Sequence, residues 1–393
     1  MPLLFDALFS SVALSHFMVD TLNASRPVLL TYLGLRETEI ALLSSIYIWV
    51  SALTQPFFGW LSDRAGPRWL ASGGILWMAG FYSAALLLPG AAGLVCLVLA
   101  ALGSSAFHPV GTVQATLRGR ERLHGRETTA ASIFFMAGQS GHFVGPIVTG
   151  LILSAKGLPV LLLLPIFAVP VGFFLGRQLH ANHPHPREAE RHGSPRKRPV
   201  LSFVLALAGV AATQSWAQAN MVNLMPKYLK DMGHGAAVYG VFAGLFMGGS
   251  AIGNLIGGMY GDRFPKRLVS AASLGAASVP ILLISQIGWS SWLYVLVPLA
   301  GALTGAVHSN MVVLAQRLIP GGMALSSGLA LGFIFSAGAF GLLLTGPMAE
   351  AQGFPAVLLL TATLLVLAAP ASLLLHEPSR GMATVQIQDV EIT

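Results

Sequence analysis

Apolar residues run for twenty or more positions at a time along this chain, and short clusters of charge, glycine and proline separate the runs. Twelve runs are read, near 5–33, 38–61, 69–88, 92–117, 128–154, 158–179, 200–229, 236–260, 268–288, 292–318, 324–348 and 355–376. Each is long enough for a membrane-spanning helix, which needs about 20 mostly apolar residues. The alternation of a half-buried strand is absent, and hydrocarbon offers a backbone amide no partner, so helices are the economical spanning form. The pattern predicts an all-α membrane protein with twelve transmembrane helices. The first run lacks a basic leading segment, is too long for a signal peptide and contains Asp20 and Arg26, so it is expected to be retained.

The polar clusters repeat. Gly59-x-x-x-Asp63-Arg64-x-x-x-Arg68 closes one run and Gly258-x-x-x-Asp262-Arg263-x-x-x-Arg267 closes another, 199 residues later in a chain of 393. His16, Asp20 and Asn23 share one face of the first helix at i, i+4 and i+7, and Trp216, Asn220 and Asn223 repeat that spacing in the seventh. Pro27 and Gly34 are echoed by Pro226 and Gly233, and Ala106-Phe107-His108 by Ala306-Val307-His308. A duplication implies two six-helix bundles, 1–180 and 200–377, joined by a cytoplasmic linker at 181–199 and followed by a cytoplasmic tail at 378–393. Parallel halves of this kind relate by a pseudo-twofold along the membrane normal and place the substrate route between them near the midplane.

Composition sharpens this picture. Mean hydropathy is +0.72 and only 9% of residues are charged, so the bilayer is the solvent and clustered charge marks turns. With both termini taken as cytoplasmic, 17 of the 22 Lys and Arg residues fall on the cytoplasmic face, which fixes the expected topology and accounts for the net charge of +7 without a nucleic-acid partner. The lone Cys96 excludes an intramolecular disulfide and a cysteine-based metal site. The linker histidines His180, His183, His185 and His192 have no acid or cysteine at a ligand spacing and read as a solvated segment, so no metal and no cofactor are expected.

Polar groups inside a span each cost a few kcal/mol unless they face a cavity or a partner. Asp20 is the foremost candidate, as a carboxyl group able to exchange a proton when access opens to either face, and His16 one turn earlier can hydrogen-bond to it. Arg26 lies about 120° around the helix from Asp20, so a direct pair is not expected; it either snorkels to the outer surface or attracts an anionic substrate. His108 and His308 are expected at equivalent depths on opposite sides of the route, binding substrate or passing a proton. Asn23, Gln139, His142, Trp216, Asn220 and Asn223 complete the candidate lining. Recognised hydrolase, phosphate-loop and paired-carboxylate motifs are missing, which sets an enzyme aside.

The loop Gly59-Trp60-Leu61-Ser62-Asp63-Arg64-Ala65-Gly66-Pro67-Arg68 resembles the motif between the second and third helices of the major facilitator superfamily, with Pro67 in place of a usual basic residue. That resemblance implies a gating role for both loop clusters, which would latch one conformation as the halves rock. Gly141-x-x-x-Gly145-Pro146 resembles the motif of antiporter branches and implies export. A narrower resemblance, to the fosmidomycin-resistance family of drug exporters, rests on Ser15 to Asp20, Gln55 to Gly59, Gly103 to Pro109 and Ala315 to Pro320. Where that family continues its His-Pro pair with an acid and then an arginine, Val110 and Val113 stand here. Together these imply a secondary transporter of a bacterial inner membrane, expected as a monomer, with protons, lipid and a small molecule as partners. Two directions remain open: an antiporter exporting a small anionic or amphiphilic molecule, and a proton-coupled importer of a small organic anion.

Overall fold

The computed structural model describes residues 2–122, 127–181, 201–318 and 323–375. The linker histidines other than His180, the tail at 378–393, Ile319 and Pro320 lie outside that set, as do the side chains of Asp63 and Arg317. The helices in order are α1 (Ala7–Tyr32), α2 (Glu37–Ala65), α3 (Pro67–Leu87), α4 (Gly90–Arg122), α5 (Glu127–Lys156), α6 (Leu158–Leu161), α7 (Leu163–Ala181), α8 (Leu201–Asn223), α9 (Met225–Asp231), α10 (Ala236–Arg263), α11 (Lys266–Ile287), α12 (Leu293–Gly305), α13 (His308–Leu318), α14 (Met323–Gln352) and α15 (Phe354–Ala371). Each predicted run becomes a helix or a pair of consecutive helices. Where a run is split, the cause is local in one case: Pro226 has no N–H to continue the ladder of α8, and a new helix starts around it.

Nine helical stretches among the described residues are long and apolar enough to cross a membrane. The long helices outside that set are α1, α5 and α8, and these carry most of the polar candidates, His16, Asp20, Asn23 and Arg26 on the first, Gln139 and His142 on the second, and Trp216, Asn220 and Asn223 on the third. Of these, α1 and α5 turn polar faces toward each other, whereas α8 directs Asn220 at α14 and α15.

The repeat is visible in backbone geometry. Gly34 and Gly233 both take a left-handed φ, +82° and +88°, at the end of α1 and of α9. Only glycine enters that region without steric cost, so the two turns need it. In the N-terminal helices α1 packs on α5 and α4, and α3 on α4 and α7; in the C-terminal helices α10 packs on α12, and α11 and α8 on α15.

Small residues set how closely these pairs approach. Along α10, a Cβ at Gly249, Gly253 or Gly257 would overlap the carbonyls of Pro298, Ala302 and Ala306 in turn, and from α12 Gly301 and Gly305 lie equally close to Phe246 and Ser250. Without a hydrophobic driving force between helices in lipid, such backbone contact supplies dispersion energy that larger side chains would prevent.

Two seams join the halves of the chain, α5 with α10 and α2 with α14. Gly150 and Gly240 meet at the first; at the second Ser45 donates to the Ala339 carbonyl at 2.7 Å and Trp49 to that of Ser336 at 3.2 Å. At the α1–α2 end the seams are closed by charge. Arg36 meets Glu350 at 3.0 Å, Lys227 meets Glu37 at 3.3 Å, and the Lys230 ammonium donates to the Thr31 carbonyl at 2.7 Å. At the opposite end Leu53, Phe57, Trp60, Leu255, Met259 and Tyr260 of α2 and α10 are exposed.

The two kinds of glycine environment separate in a thermal-unfolding comparison in detergent. Gly253→Ala, which drives a methyl into the Ala302 carbonyl, is expected to cost about 1–3 kcal/mol. Gly209→Ala, in a helical position with open space around it, is expected to be neutral or to stabilise by up to about 1 kcal/mol.

Candidate functional site

The helical spacing of α1 puts His16, Asp20 and Asn23 on one face, and α4 and α5 close over that face with His108 and His142. Asp20 becomes the hub. His16 Nε2 lies 3.1 Å from Asp20 Oδ2, His142 Nε2 3.5 Å from the same oxygen, and His108 Nε2 3.3 Å from Oδ1. Asn23 Nδ2 donates to Oδ1 at 3.1 Å and to Ser104 Oγ at 3.0 Å. The Asp20 side chain is 7% exposed and that of His16 4%, whereas His108 and His142 keep 23% and 29%, so the latter two are the accessible members of the cluster. Gly138 of α5 makes this closure possible, since a Cβ there would lie 2.5 Å from the His16 ring.

The far nitrogens of two rings fix where their hydrogens sit. His16 Nδ1 faces the Phe134 carbonyl at 2.8 Å, and His108 Nδ1 faces the Ser104 carbonyl at 2.8 Å. A carbonyl oxygen only accepts, so each Nδ1 carries the hydrogen and donates it. In a neutral imidazole that leaves Nε2 as a bare acceptor, and here both bare acceptors would face carboxylate oxygens. The contacts become attractive only with a proton between nitrogen and oxygen, on Asp20 or on an imidazolium. The packing therefore builds a proton-holding cluster out of backbone carbonyls and ring orientation. The ligand atoms of His16, Asp20 and His108 also lie within 4.8 Å of one another, a spacing that a divalent ion could bridge.

Arg26 lies about one and two-thirds turns beyond Asp20 and is 6% exposed, so it does not snorkel to a surface. Its guanidinium stacks over the Tyr47 ring of α2 at 4.2 Å, and its Nη2 donates to Asn223 Oδ1 of α8 at 3.3 Å. Asn223 is held in that orientation by its own amide, which donates to the Ala219 carbonyl at 2.8 Å. Among the described residues no carboxylate lies within ion-pair distance of Arg26, and its Nε has no hydrogen-bond partner. A buried cation left with neutral neighbours is a place where an anion is favoured.

The second copy of the motif is built differently. Asn220, at the place of Asp20, accepts from Thr345 Oγ1 at 2.6 Å and donates to Thr361 Oγ1 at 3.0 Å, which makes it a neutral junction of α8, α14 and α15. His308 does not join Asp20; its Nδ1 is buried without a partner and its ring faces Phe335 at 6.2 Å. With an amide in place of the acid, nothing draws this imidazole into a cluster. Trp216 Nε1 and Gln139 Oε1 are likewise buried and unpartnered.

Among the described side chains the loop clusters make no hydrogen bond or ion pair between the halves. Arg64 stacks on Trp60 at 3.9 Å, Arg68 meets His180 Nδ1 at 3.1 Å, and Asp262, Arg263 and Arg267 have no hydrogen bond or ion pair among the described residues. Gly59 and Gly258 approach Pro109 and Ser309 at ordinary contact distance. The glycines of the α5 motif do bring backbones together: Gly141 lies over the Phe17 carbonyl and Gly145 over that of Thr21, both on α1, with Pro146 beside them facing Gly240 of α10 through its carbonyl.

Tyr47, Ser104 and Gly138 were not among the sequence candidates. Tyr47 OH donates to Asn23 Oδ1 at 2.6 Å and is 3% exposed. A single tyrosine in an apolar run gives no periodic signal, and its partner lies on another helix.

Comparison with known proteins follows from this geometry. The Major Facilitator Superfamily model matches residues 8–341 and, in a second overlapping match, 207–388. The fosmidomycin resistance protein of Escherichia coli (strain K12) is 27% identical over 361 residues, 87% of this chain and 86% of that protein. The uncharacterized MFS-type transporter YfnC of Bacillus subtilis (strain 168) is 28% identical over 383 residues, 92% of this chain and 91% of that protein. Among solved structures, a bacterial homolog of the human lysosomal transporter Spinster, in an inward-facing and occupied conformation, superposes with a TM-score of 0.74 at 15% identity, covering 94% of this chain and 95% of that one. The nucleoside transporter NupG, as a point variant, superposes at 0.72 and 15% identity, covering 94% and 100%.

Nitrogen-15 NMR of histidine-labelled protein tests the hydrogen placement. His16 and His108 are expected as the Nδ1–H tautomer or doubly protonated at every pH; a neutral Nε2–H form of either ring would contradict the arrangement. Gly138→Ala is expected to shift the His16 signals while leaving those of His308 unchanged.

Proposed function

The chain belongs to the major facilitator superfamily and is a secondary transporter, and from that premise we propose that it is a proton-coupled antiporter exporting a small anionic or amphiphilic molecule across a bacterial inner membrane. The observation that carries this reading is the pairing of two unlike sites on α1: a carboxyl group ringed by three imidazoles at Asp20, and a buried guanidinium without a counter-charge at Arg26. The first can hold and release a proton, with His108 and His142 as its accessible faces; the second can hold an anionic group. His308, lacking an acid, has no part in the proton step on this reading. Asn23, Gln139, His142, Trp216, Asn220 and Asn223 stay as proposed lining residues, with the unpartnered Trp216 Nε1 as a donor for cargo.

Twelve spans in two six-helix bundles, 1–180 and 200–377, joined at 181–199 and with both termini and the tail from 378 in the cytoplasm, is the arrangement that fits this mechanism. The closed charged seam at the α1–α2 end and the exposed apolar residues at the other end then correspond to a conformer open to the cytoplasm. The loop clusters around Asp63 and Asp262 would engage in the opposite conformer, when the cytoplasmic ends of α2 and α10 come together. Rocking of the two halves about the site exchanges the conformers.

Export is supported by the small-residue face of Gly141, Gly145 and Pro146 and by the name of the Escherichia coli relative. One observation favours the second direction: Arg26 and the proton cluster share one helix, so an added proton would attract an anion rather than expel it, as a proton-coupled importer of a small organic anion requires.

Proteoliposomes with an imposed pH gradient decide between the two. Export by antiport moves solute against the proton flow and import by symport moves it with that flow. Under either reading Asp20→Asn is expected to reduce gradient-driven flux to the passive leak, and full coupling in that variant would exclude Asp20 as the proton carrier. Arg26→Gln is expected to weaken binding of an anionic cargo by about 2–5 kcal/mol, measured by calorimetry.

A further inference from the structure

We propose that Tyr47 is the positioning residue that transmits the protonation state of Asp20 to the contact between the two halves of the chain; this inference rests on the proton-coupled reading above. An unbroken series of contacts runs from one to the other. Asn23 Nδ2 donates to Asp20 Oδ1 at 3.1 Å, Tyr47 OH donates to Asn23 Oδ1 at 2.6 Å, the Tyr47 ring lies 4.2 Å below the Arg26 guanidinium, and Arg26 Nη2 reaches Asn223 Oδ1 at 3.3 Å on α8. Four helical segments are not needed; α1, α2 and α8 suffice, and the last step crosses between the halves.

Each link has a fixed polarity. The Asn23 amide can present its oxygen to Tyr47 only while its nitrogen faces Asp20 and Ser104, and a carboxylate is the acceptor that holds it so. When Asp20 takes up a proton, that charge-assisted bond becomes a neutral one and weakens. Asn23 is then free to turn, the phenol loses the acceptor that anchors it, and the ring no longer fixes Arg26 against Asn223. The bond between α1 and α8 is the one released.

The groups around Asp20 are consistent with a switch at this one carboxyl. His16 faces it from α1, His108 from α4 and His142 from α5, while Tyr47 faces its Asn23 partner from α2 and Arg26 lies further along α1. The three imidazoles deliver or accept the proton, and Asn23 carries the consequence out of the cluster toward α2 and α8. Tyr82, another hydroxyl near Arg26, is hydrogen-bonded to Ser25 Oγ at 2.5 Å.

The test follows the conformer rather than the cargo. In full-length protein with Cys96→Ala, spin labels at Trp69→Cys and Phe264→Cys report the separation of the two halves at the end opposite the α1–α2 turn, by double electron–electron resonance in nanodiscs. Wild-type residues at the site should give a conformer ratio that changes at least about tenfold between about pH 5.5 and pH 8.5, acid depleting the conformer described here. Tyr47→Phe keeps the ring under Arg26 and removes only the hydroxyl; it should still populate both conformers while changing less than about twofold over that range. Asn23→Leu should behave in the same way.

A Tyr47→Phe protein with the full pH response overturns this inference and leaves the proton-coupled reading intact, provided that Asp20→Asn flattens the response. A response that survives in Asp20→Asn, or that is missing with the site unaltered, overturns both.

Discussion

One carboxyl group facing three imidazoles is the constraint around which the N-terminal helices are arranged. A charge in the interior of a membrane helix is tolerated only with partners, and Asp20 obtains them from three helices, α1, α4 and α5. Two of the partners are themselves tied down, His16 by the Phe134 carbonyl and His108 by that of Ser104, while His142 reaches Asp20 from α5. Packing and protonation are therefore not separable here. The closeness of α5 to α1, which depends on Gly138, Gly141 and Gly145, is what brings the His142 imidazole within reach of the acid.

Helix α5 has a second small-residue face. Gly150 meets α10 at the Ala236 carbonyl, and Gly240 of α10 lies against Pro146. The helix that closes the proton cluster on one side thus forms one of the two seams between the halves on the other. His142 therefore lies on the helix that also forms this seam.

Much of this was legible in the chain. Polar residues stand out in oily runs, so the face of His16, Asp20 and Asn23 was readable from spacing alone, as was the lack of a direct Asp20–Arg26 pair. The positive-φ turns at Gly34 and Gly233 were visible as an echo. What escaped depends on neighbours distant in sequence. Tyr47 counts as apolar in any periodicity argument, and the fate of Arg26 depended on Tyr47 and Asn223 being nearby. At His308 the duplicated position is there, but Asn220 stands where the acid of the first copy lies, and its amide is spent on Thr345 and Thr361. The loop motifs were readable as motifs, while which conformer engages them is a property of the whole assembly.

The asymmetry between the copies has an electrical consequence. Asp20 in one half is matched by a neutral amide in the other, so on the proposed reading the duplicated position would supply one proton carrier per cycle. An anion leaving the cell in exchange for one entering proton moves the equivalent of two positive charges inward. Each is worth about 2.3 kcal/mol per 100 mV, about 4.6 kcal/mol for the two, whereas one pH unit acting on one proton supplies about 1.4 kcal/mol, so voltage would be the larger drive of such an exchange. A neutral cargo on the same scaffold would draw on half of that electrical work.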